Sequence, residues 1–183
     1  MSGIENTNRH AAELPGIRFL GPEDARELMR VRHRAIRECA VHFGTPVGVE
    51  LQKNLEHYRR QLLRYRSRGE AALLGGWLDG RLVGLTGIRV RTHLGCRVGL
   101  VYSTFVEAAL RGQGLGGRLV RRAQTEIQNK WGLSHCLLNV EVSNTRALKL
   151  YQACGFEITG TQRGAFWIQG APHDVFVLER KTV

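Results

Sequence analysis

The stretch that most constrains the fold of this chain covers residues 98–117, VGLVYSTFVEAALRGQGLGG. It begins with nine residues rich in strand-forming side chains (98–106), continues through a five-residue loop (107–111), and reaches the glycine-rich run 112–117. The residues that follow have helical periodicity. In a strand–glycine turn–helix unit, the glycines let backbone N–H groups approach an anion, and the helix N-terminus adds a partial positive charge. The stretch therefore predicts a binding site for a phosphate compound.

Two common glycine signatures fit this turn poorly. A P-loop needs Lys-Ser or Lys-Thr after the glycines, and neither follows here. The dinucleotide pattern G-x-G-x-x-G is matched by Gly112, Gly114 and Gly117, with the acidic Glu141 at the end of the next predicted strand. In a Rossmann unit, however, the strand runs directly into the first glycine, whereas here the loop 107–111 intervenes. Too little chain remains for a second βαβ half, which also argues against that fold.

Hydrophobic periodicity and turn residues predict the other elements. Strands are expected at 17–20, 71–78, 82–90, 98–106, 135–142, 156–160 and 175–178, with 166–168 as a candidate extension of the sixth. Helices are expected from Pro22 to Cys39, at 49–65, from Leu115 to Trp131, and between Asn144 and Gly155. This order, β-α-α-β-β-β-α-β-α-β-β, predicts an α/β (α+β) fold. We expect a mixed, mostly antiparallel central sheet flanked by helices, with one parallel crossover around the glycine turn.

The first helix carries an apolar face with one basic interruption, Arg32. Residues 1–15 are polar and are expected to form a flexible tail, so that residues 16–183 form a single domain. The tail has no apolar signal region, and the chain has no run of about 18 apolar residues. These features predict a cytoplasmic protein without a membrane segment.

The formal net charge of +11 favours phosphorylated ligands and can also attract nucleic acid or ribosomes. No aromatic-interleaved nucleic-acid motif accompanies the basic residues, which argues against a nucleic-acid partner. The four cysteines are scattered without a C-x-x-C pair, so we expect neither a metal site nor a disulfide framework.

A third glycine pattern, [Q/R]-x-x-G-x-[G/A], is met by Arg111, Gly114 and Gly116. One helix and one strand later, residues 144–156 (NTRALKLYQACGF) match the segment N-x-x-A-x-x-L-Y-x-x-x-G-F. With these two motifs in this order, the sequence resembles the GNAT superfamily of acyl-CoA-dependent N-acetyltransferases. The resemblance is close over residues 98–160, and the elements at 17–97 fit the family's order without a motif of their own.

The resemblance implies the GNAT acyl-CoA N-acyltransferase fold and acetyl-CoA as co-substrate, with no metal. The backbone of Thr104, Phe105 and Val106 would pair with the pantetheine arm like an added strand. The turn Gly112, Gln113, Gly114, Leu115, Gly116 and Gly117 would wrap the pyrophosphate with N–H groups. Arg111 would contact phosphate or brace the loop. Strands 98–106 and 135–142 would splay apart, and the thioester would enter the gap between them.

The resemblance also implies roles for two residues of the second motif. Asn144 and Tyr151 are seven residues apart, which places them on one helix face. Asn144 would cap the helix, reach the pantetheine, or do both. Tyr151 would act as the general acid that protonates the departing CoA thiolate; its alternative role is packing beside the cofactor.

A base or a water relay must take a proton from the attacking ammonium, and Glu141 is the first candidate. A solvated strand-end glutamate is the alternative reading of this residue. Weaker candidates for the base are Glu107, Tyr102, His93 and His135. No cysteine falls at a catalytic position of either motif, so direct transfer in a ternary complex is expected.

The predicted function is therefore transfer of an acetyl group from acetyl-CoA to a primary amine of a small molecule or a protein. Two alternatives stay open: a non-catalytic acyl-CoA-binding module, and a nucleic-acid- or ribosome-binding protein. The acceptor is not identified. Local acidity for a cationic amine could come from Glu50, Glu56, Glu141 or Asp174, and Phe166 and Trp167 are candidates to line its site. Homodimers are common among such folds.

Overall fold

The computed structural model describes residues 15–93 and 95–181. The strands are β1 (Gly16–Phe19), β2 (Ala71–Leu78), β3 (Arg81–His93), β4 (Cys96–Val106), β5 (His135–Glu141), β6 (Glu157–Ile168) and β7 (Ala171–Lys181). The helices are α1 (Ala25–Phe43), α2 (Val47–Leu51), α3 (Leu55–Arg68), α4 (Leu115–Trp131) and α5 (Thr145–Ala153). Short 3₁₀ turns occupy Pro22–Asp24 and Ala108–Leu110. The predicted tail lies outside the described residues except for Pro15.

All seven strands form one sheet in the order β1-β2-β3-β4-β5-β7-β6. Every neighbouring pair is antiparallel except β4 and β5, which are parallel and are joined through α4. The predicted mixed sheet with a single parallel crossover is thus confirmed.

Helices cover both faces of the sheet and divide the core in two. Leu119, Ala123 and Ile127 of α4 are fully buried against one face, together with Ile88 and Leu138 of the sheet. On the other face, a second cluster joins α1 and α3 to the sheet through Leu28, Val31, Leu62, Leu82, Leu85 and Phe105. None of the described helices has the length and apolar character needed to cross a membrane.

The predicted helix 49–65 is wrong as a single element. The chain instead forms α2 and α3, separated by residues 52–54. The Asn54 side chain accepts a hydrogen bond from the His57 N–H at 3.0 Å and starts a new helix there. The apolar spacing of Leu51, Leu55 and Tyr58 continues across the break, so periodicity alone does not show it.

Three other boundaries differ from the prediction. The first helix begins as a 3₁₀ turn and extends to Phe43, four residues beyond Cys39. The loop 107–111 contains a 3₁₀ turn. The last two strands are much longer than predicted and form a hairpin through Gln169 and Gly170, both with positive φ. β6 is an edge strand with mostly exposed side chains, so it lacks the apolar alternation that marks a half-buried strand.

Candidate functional site

A gap opens in the middle of the sheet between β4 and β5. The two strands pair only at Gly99–Cys136 and Leu100–Leu137. Beyond these pairs, the only strand that pairs with residues 101–106 in the described structure is β3, and the only one that pairs with residues 138–141 is β7. The splaying of these strands, expected from the family resemblance, is present, and it leaves one backbone edge of β4 free to pair with an extended ligand.

A bulge in β4 accompanies this divergence. The β3–β4 register shifts between Leu85 and Gly87, opposite a segment in which Ser103 has a φ of 53°. A bulge bends a strand and increases its twist, and this one lies where β4 has left β5. It also turns two consecutive residues toward different partners: Ser103 toward Arg32 of α1, and Thr104 toward Thr86 and Tyr151.

The glycine turn lies at the open end of the gap. Gly112 and Gly114 have φ values of 81° and 83°, in the left-handed region that side chains other than glycine's rarely adopt. α4 begins immediately after Gly114 without a side-chain cap. Among the described residues, none accepts a hydrogen bond from the N–H groups of residues 112–117. The turn therefore offers a set of unpaired donors beside the positive end of a helix.

Most residues predicted to bind the cofactor have side chains that are absent, buried or already bonded within the protein. Leu115 is buried in the core, and a Cβ atom at Gly116 would lie 3.2 Å from Leu150. Gln113 donates from Nε2 to the Ala109 carbonyl at 3.0 Å and braces the turn. Phe105 is buried on the α1 face of the sheet, and Val106, Leu115 and Gly117 pack on the α4 face.

Arg111 braces the loop between β4 and the glycines. Its Nε donates to the Val106 carbonyl at 2.8 Å, and its Nη2 contacts Glu38 Oε2 at 2.5 Å. Its guanidinium also lies 5.4 Å from the centre of the Phe105 ring. Of the two roles predicted for Arg111, these contacts are those of a brace, and a contact with phosphate stays a prediction.

The second motif brings Asn144 and Tyr151 to the same helix. Asn144 Oδ1 accepts from the Ala147 N–H at 3.1 Å, as a helix cap does. Tyr151 is 7% exposed, packs edge-to-face on Phe156, and lies beside Thr104 of β4. Burial raises the pKa of the Tyr151 phenol, and the neighbouring Thr104 hydroxyl opposes that effect. The phenol thus keeps its proton at neutral pH, as a proton donor must.

Glu141 ends β5 with a side chain that is only 4% exposed. Its Oε2 accepts from the Ser143 N–H at 3.1 Å and from the Ser143 hydroxyl. Two imidazoles flank the carboxylate: His42 Nε2 lies 3.9 Å from Oε2, and His173 Nδ1 lies 3.8 Å from Oε1. Within the described chain, Oε1 accepts no hydrogen bond and no Lys or Arg pairs with this carboxylate. The group is a buried carboxylate with one oxygen available to a ligand.

His42 and His173 are site residues that the sequence analysis missed. They come from the end of α1 and from β7, and the ring of His173 stacks on Phe166 with centroids 5.3 Å apart. No spacing along the chain connects positions 42, 141 and 173. A local motif search therefore has no signal that could find them.

The weaker base candidates have other partners. Glu107 pairs with Arg30 at 2.6 Å and Arg34 at 3.1 Å. His135 lies at the opposite end of β5 and contacts Glu179 at 3.1 Å. The Tyr102 hydroxyl donates to Tyr65, and burial raises the pKa of the Tyr102 phenol. The side chain of His93 lies outside the described part of the chain.

Comparisons with known proteins all point to acetyltransferases. Residues 33–156 match the model of the acetyltransferase (GNAT) family. Over 166 residues the chain is 27% identical to a mycothiol acetyltransferase from Mycolicibacterium vanbaalenii, an alignment that covers 84% of this chain. The chain spans about half of that relative's own length, 52%.

Solved structures agree in fold. An acetyltransferase of the GNAT family from Streptococcus pneumoniae superposes with a TM-score of 0.81 at 26% identity, covering 93% of this chain and 100% of the other. A spermidine N-acetyltransferase from Vibrio cholerae, solved in complex with CoA and spermine, superposes with a TM-score of 0.76 at 18% identity, covering 91% and 94%. At that identity the second likeness concerns the fold alone.

Proposed function

The chain belongs to the acetyltransferase (GNAT) family, and we propose that it transfers an acetyl group from acetyl-CoA to a primary amine within a ternary complex. The observation that carries the proposal is the gap between residues 101–106 and 138–141. A glycine turn with unpaired N–H groups lies at its open end, Tyr151 contacts its β4 edge, and Glu141 ends its β5 edge.

The donor would bind chiefly through backbone groups. β4 has no strand partner on its β5 side at Thr104, Phe105 and Val106, which supports pairing with the pantetheine amides as in an added strand, although Arg111 already occupies the Val106 carbonyl. The N–H groups of residues 112–117 would receive the pyrophosphate, helped by the α4 dipole. Asn144, whose side chain caps α5, would also reach the pantetheine.

In the proposed reaction, the amine nitrogen attacks the thioester carbonyl and forms a C–N bond. The developing oxyanion would be received by backbone N–H groups on the free strand edge. The C–S bond then breaks, and Tyr151 gives its proton to the CoA thiolate. Because a phenol is normally a weaker acid than a thiol, this help is modest in size.

Glu141 is the proposed acceptor of the proton that the attacking ammonium must lose. The other acidic candidates near the acceptor side are engaged elsewhere. Glu50 is ion-paired with Arg32 and Lys53, Glu56 pairs with Arg60 on the surface, and Asp174 accepts from the Gly164 N–H. Glu141 remains the buried carboxylate without a Lys or Arg partner in the described structure.

Calorimetric titration with acetyl-CoA, run in parallel with NADH and NADP⁺, tests the donor. Micromolar binding of acetyl-CoA alone is expected. A thiol-release assay with a panel of amines then tests transfer, and the panel includes spermidine, an N-terminal alanine peptide and free amino acids. Nicotinamide-nucleotide binding without acetyl-CoA binding would contradict the proposal. Acetyl-CoA binding without transfer to any amine would instead indicate a non-catalytic acyl-CoA-binding protein.

A further inference from the structure

The basic interruption in the apolar face of α1 is a largely buried cation beside the proposed reaction site. The Arg32 side chain is 14% exposed, and its guanidinium lies 5.4 Å from the centre of the Phe43 ring. Its Nε donates to Glu50 Oε1 at 2.9 Å and its Nη1 donates to Ser103 Oγ at 3.1 Å. The Tyr58 hydroxyl is a further polar neighbour of this guanidinium, and Nη2 is within hydrogen-bond distance of none of the described residues.

The charges around Arg32 do not cancel. Glu50, which is 1% exposed, also accepts from Lys53 Nζ at 2.6 Å and from the Tyr58 hydroxyl at 2.8 Å. Two cations therefore share one carboxylate, and within the described chain no second carboxylate pairs with either cation. The cluster keeps a net charge of about +1. Lys53 is 30% exposed and reaches water, whereas Arg32 is only 14% exposed, and an unbalanced charge is costly where solvation is poor. Such a cluster favours an anionic ligand.

The position of this cation relates it to the acceptor rather than to the donor. Ser103, which it contacts, directly precedes Thr104, and Thr104 is a neighbour of Tyr151 on the opposite side. Neighbouring Cα atoms are about 3.8 Å apart. Arg32 thus approaches the gap from the α1 face within about one residue of the strand edge proposed to hold the thioester. An acceptor that enters from this face would pass the guanidinium as its amine reaches the gap.

We propose that Arg32 binds a carboxylate of the acceptor, so that the acceptor is a free amino acid or a related small amino carboxylate. This rests on the proposed function, since it names the substrate class of the same site. The free Nη2 and the adjacent Nη1 form one edge of the guanidinium, which matches the two oxygens of a carboxylate. Glu50 accepts from Nε on the other edge and so fixes the orientation of the guanidinium.

The alternative is that Arg32 has only a structural role, in tying α1 and α2 to the β4 bulge. The two roles predict different selectivity between acceptors with and without a carboxylate. The test compares kcat/KM for each free amino acid with kcat/KM for its primary amide, which has the same side chain and amine but no carboxylate charge. A variant that merely lowers the amount of folded protein reduces both values equally, so their ratio is unchanged.

For the unsubstituted protein, we expect at least one amino acid to be preferred over its amide by roughly 10- to 100-fold, the value of a charge-assisted bond. Arg32→Gln should reduce this preference to the ratio of the rates at which the amino acid and its amide react with acetyl-CoA without the protein. Arg32→Lys, which keeps the charge and loses the fork, should give an intermediate ratio. Arg34→Gln is the matched control, because Arg34 lies two residues further on the same helix, is 45% exposed and pairs with Glu107. The ratio of kcat/KM for amino acid and amide in Arg34→Gln should equal that of the unsubstituted protein.

An unchanged ratio in Arg32→Gln, or transfer to amides and spermidine as efficient as transfer to amino acids, would overturn the inference while leaving the proposed acetyltransferase function in place. Absence of transfer to every amine would overturn both. Fluorimetric thermal unfolding of each variant shows separately whether Arg32 contributes to stability.

Discussion

The proposed donor side and the proposed acceptor side of the gap are built in different ways. The donor side consists of one continuous segment, β4 followed by the glycine turn, and offers mainly backbone N–H groups. The acceptor side consists of side chains from separate elements: Arg32 and His42 of α1, Glu141 of β5 and His173 of β7. A backbone site depends on local conformation, whereas a side-chain site depends on how distant elements pack. The two sides should therefore respond differently to substitution.

The largest expected effect is on the donor side. Gly114→Glu would force a side chain into a left-handed conformation and place a carboxylate beside the proposed pyrophosphate. Like charges about 4 Å apart near a surface repel by about 4 kcal/mol, so acetyl-CoA affinity should fall roughly 1,000-fold. Titration calorimetry measures this change.

Gly132→Glu is the matched control for that variant. Gly132 ends the same helix with a φ of 65°, and a Cβ atom there would also meet no neighbour within 4 Å. Gly132→Glu places a charged residue in a left-handed conformation, as Gly114→Glu does, but at the far end of α4. If both variants lose acetyl-CoA binding equally, the glycine turn is not the pyrophosphate site.

On the acceptor side, Glu141→Gln should lower kcat roughly 100-fold, at the lower end for loss of a general base, because water can partly replace it. Acetyl-CoA affinity should stay within about twofold, since the residue is proposed to serve the acceptor. Glu179→Gln removes the carboxylate of the other glutamate–histidine contact on β5 and β7, with His135, and should retain activity. Equal losses in the two variants would contradict a catalytic role for Glu141.

The cluster of Arg32, Glu50, Lys53 and Tyr58 should contribute to the free energy of unfolding. Burial alone would raise the pKa of the Glu50 carboxyl, but its bonds with Arg32, Lys53 and Tyr58 lower it from 4.5 to about 2. Because the folded-state pKa is the lower one, the stabilisation is complete above about pH 4.5 and is lost as the pH falls toward 2. Glu50→Gln should lower the free energy of unfolding by about 2 kcal/mol at pH 7.

Urea denaturation of both proteins at pH 7 and near pH 3.5 checks this expectation, since the difference between them should shrink at the lower pH. A difference that stays constant with pH would mean that the Glu50→Gln substitution acts through packing rather than through lost charge.

The smallest expected effect concerns Tyr151, which lies where the two sides meet. Tyr151→Phe should lower kcat about 10-fold and leave acetyl-CoA affinity nearly unchanged, because a buried phenol is a modest acid and water can substitute for it. Pre-steady-state thiol release and calorimetry measure the two quantities. A parallel loss of affinity would identify Tyr151 as a packing residue beside the cofactor.

Much of the fold follows from local signals in the chain. Asp79 and Gly80 mark the β2–β3 hairpin, and Gly132 and Gly155 mark helix ends, since each of the four residues has the positive φ that its turn requires. Periodicity does not reveal the break at Asn54, because the apolar spacing continues across it. It also does not reveal the full β6–β7 hairpin, because an edge strand needs little apolar alternation.

Local sequence is sufficient to specify the donor side. The glycines and the start of the following helix act over a few residues, and backbone conformation at that range depends on the local residue types. The acceptor side exists only in the folded chain. Arg32 stands in the sequence as an interruption in an apolar face, and its contact with Ser103 spans 71 residues of chain. His42 and His173 give no sequence signal, because they approach Glu141 from separate elements. A buried charge can be interpreted only when its partners are known, and packing brings those partners together.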